Sequence, residues 1–387
     1  MRQKCVLTAS IAIAVLTACA GVSPRPIATP IEQLPSRELD DAQQAQRDRA
    51  IDAAIAAVVQ RRYAAARAAA EEALQVDPRA ARARAVLGMV LLQEAGEIDP
   101  PDLHALHQGE VEVLTAEELA PGDAFVGWIH AVFLAETGHM SAAAAAAEAA
   151  LGRTTEAPPT ERAALLGVAG TYRYELGEDR AALPHLQAYV VLRPDDATAN
   201  FRLGNSHLRI SQLVIGVKGL EESQRHAERA ARAFERCFQL APGDEDAGLS
   251  VGKALARAAE LAGRRGDAEQ QADLRARADG AFAVVADRFP ASAEPWFCTG
   301  ALAERRDDPA AAVTAYEQAL QRDPAHLPSL LNLAVLREAG PVADEKKLLV
   351  LLRQIIDVDA QRGGLTGSER ERVARRLAAL EAAASRP

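Results

Sequence analysis

The chain has 387 residues, enough for two or three ordinary domains or for one long repeat array. It is 49% apolar but only 4% aromatic, with alanine dominating, a composition suited to helices that pack closely. With 44 basic against 54 acidic residues the net charge is -10, which argues against nucleic acid as a partner.

The first 18 residues open with Arg2 and Lys4 and continue as an apolar stretch from Val6 to Ala18. That stretch is shorter than the roughly 20 residues a helix needs to cross a ~30 Å hydrocarbon layer. A positive start, a short apolar core and small residues at its end form the layout of a secretory signal peptide, residues 1–18. Leu16-Thr17-Ala18-Cys19 resembles the lipobox of bacterial lipoproteins. The resemblance implies that Cys19 is acylated, for example with palmitate, and becomes the first mature residue. Two or three acyl chains would anchor the protein firmly. In that family an aspartate after the cysteine retains the protein in the inner membrane. Ala20 stands there, which implies the periplasmic face of the outer membrane in a two-membrane organism and the cell membrane otherwise. The alternative is an uncleaved signal anchor on an inner-membrane adaptor. Residues 19–45 follow as a tether with prolines at 24, 26, 30 and 35. At ~3.1 Å per residue, the 20 residues from Ala20 to Leu39 would reach up to about 60 Å from the lipid.

From residue 46 to 360 the chain is repetitive. Residues 293–326 place Trp296, Gly300, Ala312, Tyr316, Ala319 and Pro324 at positions 4, 8, 20, 24, 27 and 32 of a 34-residue frame. Small residues at 8 and 20 let two helices touch, large ones at 4 and 24 fill the flanks, and the proline ends the second helix. This pattern resembles the tetratricopeptide repeat, a helical hairpin. The frame gives hairpins at about 47–80, 81–122, 124–157, 163–196, 197–244, 245–292, 293–326 and 327–360. Pro194 to Pro242 and Pro242 to Pro290 each span 48 residues, 14 more than 34. Seven extra residues per helix are close to two turns, so the packing faces stay in phase and the fifth and sixth hairpins are elongated. Their turns fall near Gly216 to Gly219 and Gly263 to Gly266. Over 366–385, Thr366 and Glu369 have capping-box spacing, and Val373, Leu377 and Leu380 form an apolar stripe opposite four arginines. That segment is a capping helix for the open end of the array. The expected fold is all-α, a right-handed superhelical solenoid of about eight such hairpins plus the cap.

Two patterns raise the question of catalysis, and a cysteine pair that of a disulfide. Gly248-Leu249-Ser250-Val251-Gly252 matches G-x-S-x-G, but a nucleophile elbow needs a strand before the serine, whereas Ser250 falls in a predicted helix. His104 and His107 lie three residues apart with Glu110 as the nearest third donor, which leaves a metal-dependent reading open but poorly supplied with ligands. Cys237 and Cys298 are separated by the whole sixth hairpin, too far for a disulfide. No phosphate loop or dinucleotide fingerprint is present. The expectation is a protein that is not an enzyme and needs no cofactor.

The resemblance to tetratricopeptide proteins implies a concave groove lined by positions 2, 5, 9, 12 and 13 of each first helix. Those positions give Phe125, Trp128, Tyr174, Phe201, Asn205, Lys253 and Phe297 among others. Position 13 is Glu136 and Glu175 in the third and fourth hairpins, but Arg209, Arg257 and Arg305 in the fifth to seventh. The expected partner is a protein or peptide. Its apolar anchors would meet Phe125, Trp128, Tyr174 and Phe201, and its acidic segment or C-terminal carboxylate would meet Arg209, Lys253, Arg257 and Arg305. The general layout resembles tetratricopeptide lipoproteins that assist pilus, secretion or cell-wall complexes.

Overall fold

The computed structural model of the protein describes residues 28–97, 100–154, 156–213, 219–338 and 341–384. The signal segment, Cys19 and residues 214–218, where the turn of the fifth hairpin is expected, lie outside them. Among the described residues the chain forms 17 α-helices and a 3₁₀ turn at Ile31–Gln33, and no strand. In chain order the helices are α1 (Asp41–Val59), α2 (Tyr63–Val76), α3 (Ala81–Gly96), α4 (Leu103–Leu119), α5 (Ala124–Glu136), α6 (Met140–Arg153), α7 (Pro159–Glu175) and α8 (Asp179–Leu192). They continue as α9 (Ala197–Gln212), α10 (Leu220–Leu240), α11 (Glu245–Arg264), α12 (Ala268–Arg288), α13 (Glu294–Glu304), α14 (Pro309–Arg322), α15 (Leu327–Glu338), α16 (Glu345–Arg362) and α17 (Gly367–Ala384). No described helix is long and apolar enough to cross a membrane.

Aspartate starts many of these helices. Asp40, Asp123, Asp244, Asp267, Asp308 and Asp344 each accept a hydrogen bond from a backbone N–H of the first turn. The first-turn N–H groups have no helical acceptor, so each cap contributes about 1 kcal/mol.

Two compact units, Met1–Arg202 and Leu203–Pro387, divide the chain within α9. In the first, α1 to α8 pack in consecutive pairs, each hairpin against the next. Alanines at near-zero exposure, among them Ala54, Ala66, Ala70, Ala143 and Ala147, form the seams. In the second unit the same pairing runs from α10 to α17. There the small residue at position 8 of the frame meets the ring at position 24. A Cβ on Gly204 would lie 2.7 Å from the Phe234 ring, on Gly252 2.3 Å from Phe282, and on Gly300 2.5 Å from Tyr316. Glycine is required there because the ring rests on bare backbone.

The sixth hairpin is elongated: α11 and α12 have 20 and 21 residues, whereas α13 and α14, which follow, have 11 and 14. Its turn carries Gly266 at φ +83°, the left-handed conformation that glycine adopts most readily.

The segment expected to be a tether is partly otherwise. Residues 28–40 are packed on the first unit: Ala28 and Leu34 are buried, and the Thr29 N–H donates to Thr115 Oγ1 at 2.8 Å. The Arg79 guanidinium donates to the carbonyls of Ile31 and Leu34 at 3.0 and 3.1 Å, and α1 begins at Asp41. Buried backbone carbonyls need donors, and one arginine here supplies two of them.

At the other end Thr366 and Glu369 form the capping box of α17, with backbone N–H bonds of 2.8 and 3.3 Å. Val373 and Leu380 bury against α15 and α16. Two arginines of its polar face are not merely solvated. Arg370 holds Asp359 at 2.5 Å, keeping that carboxyl below its ordinary range, and Arg376 pairs with Glu338 at 2.7 Å. Cys237 and Cys298 are both buried thiols outside any disulfide.

Candidate functional site

In the first unit a cavity of about 410 Å³ lies among α5, α7, α8 and the beginning of α9. Three aromatic rings line it: Trp128, Tyr172 and Tyr189. Gly167 lets the Tyr189 ring lie against α7, since a Cβ there would come 2.9 Å from Cε2. The Tyr189 hydroxyl donates to Asp196 Oδ2 at 2.9 Å, and burial, reinforced by that bond, pushes its pKa up to about 12. Burial likewise raises Tyr172. Arg193 and Arg202 stand at the edge, Arg202 3.6 Å from Glu175.

Trp128 lines this cavity as its position suggests, but Phe125 does not. It is 3% exposed, belongs to the core of the first unit, packs on Trp128 at 5.6 Å and carries the Arg82 guanidinium 5.6 Å over its ring. A ring so enclosed offers nothing to a partner, and the expectation for Phe125 is corrected. Tyr174 and Phe201 are half-buried outside the cavity lining. The other two rings that line it were missed because Tyr172 sits one residue past a groove position and Tyr189 lies on a second helix.

In the second unit a cavity of about 630 Å³ gathers Lys253, Arg257, Phe297 and Arg305, with Leu208 and Cys298. Lys253 and Arg257 lie on α11, Phe297 on α13 and Arg305 at the α13 C-cap, so residues 52 apart in the chain meet here. Phe297 is fixed by Tyr316 at 5.9 Å and by an edge contact with His326 at 5.4 Å. Arg257 is held in place: it donates to Glu260 Oε1 at 2.8 Å and to the Ser211 carbonyl at 3.0 Å. Lys253 and Arg305 are exposed, and among the described residues neither forms an ion pair. Burial pushes the Cys298 thiol up to about 11, so it stays protonated and takes no part as a nucleophile at neutral pH. Asn205 and Arg209 lie on α9 but do not line this cavity.

The catalytic alternatives find little geometry. Ser250 lies inside α11, in the sixth position of a continuous helix, and not on a strand-to-helix turn. His104 Nε2 lies 3.0 Å from the Gln108 amide, and among the described residues no group of three potential metal-ligating side chains converges. His130 pairs with Glu117, and that hydrogen bond, helped by Arg153, keeps the Glu117 carboxyl at about 2. It is a half-buried structural histidine.

The fold and these two cavities define a helical-repeat protein with side-chain-lined recesses. No protein-family model matches the chain, and no curated protein does. Among solved structures it is similar to YrrB, described as a TPR protein with an unusual peptide-binding site, at 17% identity over 57% of this chain and 96% of that one, TM-score 0.42. It is similar to Pseudomonas aeruginosa pilF at 16% identity over 61% and 92%, TM-score 0.41. A third is the C-terminal part of a TPR repeat-containing protein from Cytophaga hutchinsonii, 15% identical over 73% and 99%, TM-score 0.46. At these identities none transfers a residue role to this chain.

Proposed function

We propose that the protein is a non-catalytic scaffold of a bacterial envelope that holds segments of partner proteins in the cavity of its second unit. The observation that carries the reading is the convergence of Lys253 and Arg305, both exposed and without an ion pair among the described residues, on the rim of a cavity floored by Phe297. An apolar floor with cationic walls suits a peptide that brings an apolar side chain and a carboxylate together. The aromatic cavity of the first unit, around Trp128, Tyr172 and Tyr189, serves as a second anchor point. Attachment to the membrane through Cys19, on the periplasmic face of the outer membrane where there is one, rests on the lipobox resemblance. A role in assembling a pilus, secretion or cell-wall complex follows from the same layout.

Two experiments test this. Crosslinking and pull-down from membranes should recover a partner with the wild-type protein and lose it with Lys253→Glu/Arg305→Glu; equal recovery would remove the second-unit site. Labelling with a fatty-acid analogue should mark the protein and fail with Cys19→Ser. Membrane attachment that persists unlabelled in that variant would favour an uncleaved signal anchor.

A further inference from the structure

The basic cavity does not end at Arg305. A second cavity of about 390 Å³ adjoins it and shares Ala256, Glu260, Leu302 and Arg305 with it. It exists because α11 and α12 are long and α13 is short. The last turns of α11 run past the end of α13, and Gly263, Arg264 and Arg275 line a recess there beside Leu302. Arg275 is fixed at the mouth by a 3.4 Å bond from its guanidinium to the Arg305 carbonyl, and Arg264 is exposed. Together the two cavities form one trough lined by five cations, Lys253, Arg257, Arg264, Arg275 and Arg305, against a single carboxylate, Glu260, which Arg257 already holds. This occurs in a chain whose net charge is -10. Among the described residues Arg264 and Arg275 form no ion pair with a carboxylate. Helix stability does not ask for such a concentration: like charges placed along one trough repel, and the repulsion is relieved when an anion enters.

We infer that this trough binds an internal acidic stretch of a protein chain, with carboxylates spread over several residues and apolar side chains between them, and not a chain terminus. The inference rests on the proposed binding role of the second-unit cavity and extends it. A terminal carboxylate is a point and needs one focus of donors. Lys253 and Arg264 are 11 residues apart on α11, about 16 Å at 1.5 Å per residue, which is the span of about five residues of extended chain. The floor of Ala256, Phe297, Ala301 and Leu302 gives apolar side chains a place between the charges, which a phosphate polymer would not use.

The test uses the full chain and a fluorescein-labelled peptide, (Glu-Leu-Glu-Ala)₃, acetylated and C-terminally amidated, followed by anisotropy. The amidated peptide should bind, its Gln-for-Glu counterpart at least tenfold more weakly. Arg264→Glu/Arg275→Glu should weaken binding at least tenfold and the single exposed change Arg264→Gln about threefold, with helical circular dichroism unchanged. If Lys253→Glu/Arg305→Glu destroys binding but the Arg264 and Arg275 variants do not, the extension fails and the reading of the first cavity stands. If the wild type binds no peptide, both fail. A free C-terminal carboxylate that tightens binding tenfold would identify a terminus as the ligand and overturn the inference. Inorganic polyphosphate displacing the peptide at lower charge concentration than the unlabelled peptide itself would overturn it in favour of a phosphate polymer.

Discussion

Replacing Gly252 by alanine sets two effects of known sign against each other. In a helix interior the exchange gains about 1 kcal/mol of propensity. Against that, the new Cβ would lie 2.3, 2.6 and 2.7 Å from Cε1, Cδ1 and Cζ of Phe282, where carbon contacts are comfortable at about 3.5–4.0 Å. Phe282 is 2% exposed, so its ring has no free space to retreat into, and the helices must separate by a good part of an ångström. Overpacking of this kind costs about 1–3 kcal/mol and, with three contacts this short, the upper part of that range applies. The expected net loss is about 1–2 kcal/mol. Gly280, on the partner helix α12, meets nothing within 4 Å, so Gly280→Ala should instead stabilise by about 0.5–1 kcal/mol. Urea unfolding followed by circular dichroism measures both, and hydrogen exchange over 245–288 locates the change, since a repeat array need not unfold in one step. Gly252→Ala/Phe282→Leu should recover part of the loss relative to Phe282→Leu alone. A Gly252→Ala protein as stable as the wild type would refute the claim that ring-on-glycine contact holds these hairpins together.

His207 is 2% exposed with its Nδ1 2.8 Å from that of His226 on the facing helix; burial chiefly, then the charges of His226, Arg229 and Arg232, pushes it down to about 3. The folded protein therefore binds fewer protons than the unfolded chain, so this stability is complete above about pH 6.5 and falls with pH below it, by about 2 kcal/mol at pH 5. Thermal melts at pH 7.5 and 5 should show that drop, and His207→Leu should flatten it; an unchanged slope would refute the assignment. Arg79→Ala removes the guanidinium bonds to the Ile31 and Leu34 carbonyls, leaving Ile31 only the Leu34 N–H, and should expose residues 28–40 to proteolysis several times faster than in the wild type, with the helices still resistant. Phe125→Ala should cost about 3–5 kcal/mol in unfolding experiments, as expected for a ring 3% exposed, whereas truncating half-buried Trp128 should cost less stability and weaken partner binding. The reverse order would put Phe125 on the binding surface.

Four residues of the second-unit cavity were legible in the sequence, whereas Asn205 and Arg209, expected beside them, lie on α9 outside its lining. Lys253, Arg257, Phe297 and Arg305 fall at frame positions that a regular helix brings to one side, and they do line one cavity. Arg264 and Arg275 were not legible as part of it. Their role depends on how far α11 and α12 outrun α13, a relation between hairpins and not a property of any one of them. Phe125 misled for a similar reason. A groove position counts residues around one helix, but whether the ring there meets solvent depends on its neighbours, and Arg82 and Trp128 close over it.

By itself the sequence determined what repeats along the chain: the helix pairs, the aspartates that start them, the glycine facing a ring, and the two extra turns of the long hairpins, all consequences of 3.6-residue periodicity and local caps. The tertiary structure alone decided which aromatic rings are exposed, which arginines are held by carboxylates or carbonyls, and that residues 28–40 lie along the first unit. Those outcomes depend on approach between segments far apart in the chain, where burial and unsatisfied hydrogen-bonding groups are settled jointly, and no local pattern carries that information.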